Sequence, residues 1–137
     1  MRFCSVRIVA GDVEASAGFF ARLFHVEATG YPDYMEVRAP GTVLAFCTPA
    51  ALAAATPELS ECEPGTQILE FEVDDLDDLE RQLDGSVQLL QRPTVQPWGN
   101  RSMIIRTDEG TLVNFFTPVP GEDRAWSFQG WTLKRMA

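Results

Sequence analysis

Histidine is nearly missing from this 137-residue sequence, where His25 stands alone. A Ser-His-acid triad therefore has a single base to draw on. None of Ser5, Ser16, Ser60, Ser86, Ser102 and Ser127 has a histidine at a plausible strand or loop partner position. His25 itself follows the first helical pattern and reads as a surface or helix-end residue. Cysteine is scarce too: Cys4, Cys47 and Cys62 are odd in number and lack CxxC spacing. That argues against a disulfide framework and a cysteine zinc site, and reads as buried small hydrophobes. No glycine-rich phosphate loop occurs. No apolar run approaches the ~20 residues that cross a bilayer. The opening MRFCSVRIVAGD has no sustained apolar core before a small-residue cleavage site, so a cytoplasmic location is the expectation.

Positive charge is the other shortage. Eleven Lys and Arg face 20 Asp and Glu, a formal net charge of −9. Such a field repels nucleic acid and anionic membrane and would concentrate cationic ligands, and the sequence holds no basic cluster. Hydrophobic residues, at 45% of the sequence, are plentiful enough for a globular core. A chain of this length forms one ordinary domain, or two small modules sharing a core.

What is present is a repeat. GTVLAFCTP runs from Gly41 to Pro49 and GTLVNFFTP from Gly110 to Pro118. Each is a turn glycine, an apolar run and a proline stop, which describes one strand used twice. Upstream of the first copy, Arg2 to Ala10 alternate as a strand, and Asp12 caps a helical pattern from Val13 to Phe24 through Val13, Ala17, Phe20 and Phe24. Short strands are predicted at Val26 to Gly30, Tyr34 to Ala39 and Thr42 to Thr48. After a linker the order begins again. A strand from Thr66 carries Leu69, Phe71 and Val73, and Asp75 precedes a helix with Leu76, Leu79 and Leu83 that ends at Gly85. Strands at Val87 to Gln91, Arg101 to Thr107 and Leu112 to Thr117 follow. In this repeat Asp75 matches Asp12, Ile68 matches Ser5, Met103 matches Met35, Arg106 matches Arg38, and Asn114 matches Ala45. Two βαβββ units are written here, each too small to bury its own sheet face.

The helix opening GDVEASAGFFARLF, the second-half opening LEFEVDDLDDLERQL and the closing DEGTLVNFFTP resemble the vicinal oxygen chelate superfamily, that of glyoxalase, bleomycin-resistance protein and dioxygenase. The resemblance covers about Met1 to Pro118. It implies an α+β fold: two paired βαβββ modules forming a curved mixed sheet with helices on the convex face and a ligand pocket in the concave one. Module one is expected at 1–56, a linker at 57–65, module two at 66–118, and a C-terminal extension at 119–137. The extension carries Trp126, Phe128 and Trp131, and docking on the domain or a second subunit is its expected role.

By the same resemblance, metal-dependent members keep a ligand on the first and last strands of each unit, usually histidine and glutamate respectively. Here those positions hold Ser5, Ala45, Ile68 and Asn114. Ala45 and Ile68 offer no donor, so no metal and no other cofactor is expected. The metal-free branch, which includes bleomycin-resistance proteins, binds small molecules, commonly as homodimers. That branch commonly carries a PWG-type turn, found here as Pro97-Trp98-Gly99. An indole there offers a platform for planar or cationic groups.

The expected ligand-binding residues are Phe3, Ser5, Arg7, Tyr34, Ala45, Glu70, Trp98, Arg101, Met103, Asn114 and Phe116. The function expected is metal-independent binding or sequestration of a small, cationic or aromatic molecule by a homodimer, with no nucleic-acid or membrane partner. The alternative is an enzyme of this superfamily, of lyase, isomerase or dioxygenase type, with unconventional or no metal ligands, in which Glu70 is the candidate general base. A third is a scaffolding module that binds another protein through its aromatic tail.

Overall fold

A computed structural model describes residues 1–119; the aromatic extension beyond them, with its expected docking role, lies outside the described residues. The elements follow the order β1 (Arg2–Val9), α1 (Val13–Phe24), β2 (Ala28–Tyr31), β3 (Tyr34–Ala39), β4 (Thr42–Cys47), α2 (Pro49–Ala55), a 3₁₀ turn (Pro57–Leu59), β5 (Gln67–Glu72), α3 (Leu76–Leu83), β6 (Gln88–Val95), β7 (Asn100–Arg106) and β8 (Leu112–Pro118). The fold is α+β, and its strands spell βαβββ twice. The described residues divide into two compact units, one of Ser5–Gln67 and one joining Met1–Cys4 to residues 68–119.

In the first unit the strands lie in the order β2-β3-β4-β1, with β1 parallel to β4 and the other pairs antiparallel. Asp12 starts α1 because its carboxylate accepts the Ala15 amide N–H at 3.0 Å. The helix buries Val13, Ala17 and Ala21 against Val37 and Phe46, and Phe20 stacks on Phe46 with ring centroids 5.6 Å apart. It ends at His25, whose φ of 58° is the left-handed cap geometry usually given to glycine. Val26 N–H then returns to the Ala21 carbonyl and its side chain joins the helix cluster. This explains why β2 starts at Ala28 and not at the predicted Val26: the cap has already used that amide.

The segment after β4 opens with α2, which precedes the expected linker at 57–65. Thr48 caps α2 by accepting from Ala51 N–H at 3.1 Å, Pro49 sits in the first turn, and Leu52 and Leu59 are buried.

In the second unit the order is β5-β8-β7-β6, with β5 parallel to β8. Asp75 repeats the cap of Asp12, accepting Asp78 N–H at 2.9 Å. Leu76 of α3 packs with Val73, Met103, Ile105, Val113 and Phe115. The strand β6 runs to Val95, beyond the predicted end at Gln91. Pro93 does not stop it because β6 is outermost in this order, where a missing N–H costs no ladder bond, and the register shifts around Gln91. Among the described residues no helix is long and apolar enough to cross a membrane.

Candidate functional site

Side chains alternate between the two faces of a strand, and side chains at the same register on neighbouring strands share a face. In each unit one face is taken by the helix. The other face is where the polar residues collect.

In the first unit, Arg7 on β1 stands beside Ala45 on β4, which stands beside Glu36 on β3. All three are buried, Arg7 at 6% exposure and Glu36 at 1%. Ala45 has nothing beyond its Cβ, so its two longer charged neighbours share the space above it. Glu36 accepts from Tyr34 Oη at 3.0 Å and from the Arg38 guanidinium at 2.8 Å. Residues 34, 36 and 38 thus line one face of β3. A buried carboxylate survives only with such partners.

In the second unit the equivalent row is Glu70 on β5, Asn114 on β8 and Ile104 on β7. Glu70 is fully buried and accepts from Asn114 Nδ2 at 2.8 Å. Further along the same face, Gln96 Nε2 donates to Ser102 Oγ at 3.1 Å and to Gln91 Oε1 at 3.4 Å. Gln91, Gln96, Asn100 and Ser102 are all buried. So many buried amides opposite a helix are costly unless they meet partners.

The expected site residues fall into separate groups. Glu70, Asn114 and Phe116 share the polar face of the second unit, and Phe116 is placed there by its register with Ser102. Arg7, Tyr34 and Ala45 share that of the first, and Ser5 alternates with Arg7 and is buried. Arg101 and Met103 do not join Glu70. Met103 lies in the cluster beneath α3, and the Arg101 guanidinium donates to Asp77 at 2.8 Å. That hydrogen bond holds Asp77 below the usual carboxylate range and raises Arg101 further. Phe3 is exposed, its ring 5.2 Å from Phe71, which packs beside Phe115 on the helix side. Trp98 is half-buried in the turn closed by Gly99 N–H on the Gln96 carbonyl, with Gly99 at φ 96°. His25 sits exposed at the end of α1.

The sequence reading left out Glu36, Gln91, Gln96, Asn100 and Ser102. A signal existed for two of them, since Asn100 and Ser102 alternate with the buried Ile104. Gln96 was hidden by the unpredicted length of β6.

Of the four positions matching the metal-dependent pattern, Ala45 and Ile68 present only carbon, Asn114 donates its Nδ2 hydrogen to Glu70, and Ser5 offers a hydroxyl. Among the described residues no group of three or more His, Cys, Asp or Glu is gathered to hold one.

Comparison with known proteins places this architecture. Solved structures of similar fold include the NAD-dependent benzaldehyde dehydrogenase from Legionella pneumophila, at 19% identity and TM-score 0.61, covering 82% of this chain and 96% of that one. The methylmalonyl-CoA epimerase from Mycobacterium tuberculosis follows at 21% identity and TM-score 0.59, covering 87% and 89% respectively. A glyoxalase/bleomycin resistance protein/dioxygenase superfamily member from Vibrio splendidus 12B01 has 16% identity and TM-score 0.59, covering 82% and 96%. At these identities the likeness is one of fold. No curated protein sequence matches the chain. The profile of the Glyoxalase/Bleomycin resistance protein/Dioxygenase superfamily matches residues 2–115. With its doubled βαβββ architecture and that match over most of its length, the chain belongs to the glyoxalase/bleomycin resistance protein/dioxygenase superfamily.

Proposed function

We propose that this protein binds a small organic molecule without a metal, on the polar faces its sheets turn away from α1 and α3. The observation that carries the reading is the hydrogen bond of Asn114 to a fully buried Glu70, set on a strand face where Ile68 supplies no ligand atom. A carboxylate and an amide at adjacent register points recognise hydrogen-bonding groups. The Gln91, Gln96 and Ser102 network extends the same face and adds orientation. A cytoplasmic homodimer belongs to the same proposal, and light scattering tests its mass.

A fragment panel followed by the side-chain amide resonances of Asn and Gln tests the binding reading. Binders are expected to shift Asn114, Gln91 and Gln96. A panel whose binders all map elsewhere contradicts it.

One observation favours an enzyme as the second reading. Glu70 is a fully buried carboxylate, a group that can serve as a proton-abstracting base, and one of the fold neighbours is an epimerase. That reading requires turnover that Glu70→Gln abolishes. Unaltered turnover in this variant eliminates Glu70 as the base.

A further inference from the structure

On the polar face of the second unit, two buried amide oxygens, of Asn100 and Asn114, have no hydrogen-bond partner among the described residues. Asn114 shows why. A carboxylate only accepts, so the Nδ2 group of Asn114 must point at Glu70, where it lies 2.8 Å from Oε2. The amide orientation follows from that contact and is not open to a flip. Its Oδ1 is therefore turned the other way. Among the described residues it meets no donor, although it is buried. Asn100 Oδ1, on the same face of the adjacent strand β7, is in the same condition. The two amide N–H groups of Gln96 are already spent on Gln91 and Ser102.

A buried acceptor without a donor costs about 1–3 kcal/mol. It is retained in a native protein where something else supplies the hydrogen. The remaining polar group of this row, Glu70, adds a carboxylate and no hydrogen. Ile104, on the other side of Asn114, adds only hydrocarbon. Both neighbours of Asn114 thus leave the same vacancy for a donor.

Resting on the binding reading above, we propose that the ligand presents N–H donors, as an amidinium, guanidinium, ammonium or amide, and that Asn114 Oδ1 is the acceptor that selects it. Glu70 fixes the Asn114 amide in the accepting orientation, in which Oδ1 takes a hydrogen from a donor head. An anionic or acceptor-only head meets Oδ1 with like polarity and leaves it unsatisfied. A site that must satisfy a buried polar group rejects the analogue lacking the matching group far more strongly than a greasy pocket rejects a missing methylene.

Three probes of one shape, benzamidinium, benzamide and benzoate, separate the cases by calorimetric titration of the full chain. Benzamidinium is expected to bind at least about tenfold more tightly than benzoate, with benzamide between them. Asn114→Leu, which keeps the bulk and removes Oδ1, is expected to erase the preference. Should that variant fail to fold, Glu70→Gln gives a second test of the same point. Its new amide can donate to Asn114 and satisfy Oδ1 internally, so the preference again disappears. Benzoate binding as tightly as benzamidinium overturns the donor inference while leaving the binding reading intact. So does a preference that survives both variants. If none of the probes binds while other fragments shift the Asn114 amide, the donor inference alone falls. If no fragment shifts it, the binding reading falls with it.

Discussion

Arg7, Ala45 and Glu36 in the first module occupy the register positions that Glu70, Asn114 and Ile104 occupy in the second. On the opposite faces, Met35 and Phe46 lie under α1 as Met103 and Phe115 lie under α3. The helix-facing residues have stayed alike across the repeat. The residues turned away from the helices have diverged in charge, size and hydrogen-bonding sense. Packing explains the first half of this contrast: a helix on a sheet demands bulky hydrocarbon at fixed positions, and any change there opens a cavity. The second half is free of that demand, so its chemistry follows from what the face is used for.

The sharpest way to break the comparison is to cut the two helix faces equally. Phe46→Ala and Phe115→Ala are each expected to cost about 3–5 kcal/mol in chemical denaturation, with Phe115, slightly less buried, at the lower end. A cost near zero in either module means the duplicated core is not doing equal work.

Next comes exchange of the divergent pair. Asn114→Ala removes a donor from buried Glu70 and is expected to destabilise by about 1–3 kcal/mol. Ala45→Asn adds bulk between Arg7 and Glu36 at a cost of similar size, about 1–3 kcal/mol. If both exchanges are neutral, the two rows are interchangeable and the contrast has no energetic content.

A smaller effect tests the repeated caps. Asp12→Ala and Asp75→Ala each remove one carboxylate that accepts a first-turn N–H, and each is expected to lower stability by about 1 kcal/mol. Thermal melts of the two variants should shift alike.

The smallest effect concerns an ion pair without a counterpart. Asp77 and Arg101 in the second module match Glu14 and Asp33 in the first, where both are acidic. The Arg101 hydrogen bond depresses Asp77, and a depressed carboxylate contributes stability that is complete above the ordinary aspartate value of about 3.9. That contribution is lost as the pH falls through the lower folded-state value. In Arg101→Gln the Asp77 carbonyl-carbon titration should move up toward the ordinary range, while the acid-unfolded states of variant and parent converge. An unmoved titration would mean the pair is not formed in solution.

Much of the architecture was legible from residue patterns. The paired strands GTVLAFCTP and GTLVNFFTP, and the caps Asp12 and Asp75, located the modules because turn, period and cap chemistry are local. The site was legible only in part. Glu70 and Asn114 lie together on the polar face, whereas Arg101 and Met103 lie on the helix side; a strand's sequence does not state which of its faces the helix will cover. Glu36 escaped notice because its significance lies in its register with Ala45, a non-local fact. Gln91 and Gln96 became neighbours only through an edge strand that runs past Pro93.

The central claim is that neither row, for all its buried charge, is a metal site. Elemental analysis tests it most directly, on protein exposed to zinc, nickel, manganese and ferrous ions and then freed of unbound metal by gel filtration. The account predicts that no metal is retained in stoichiometric amount, and that Glu70→Gln changes nothing in that result. One metal ion per chain, lost in Glu70→Gln, would contradict it.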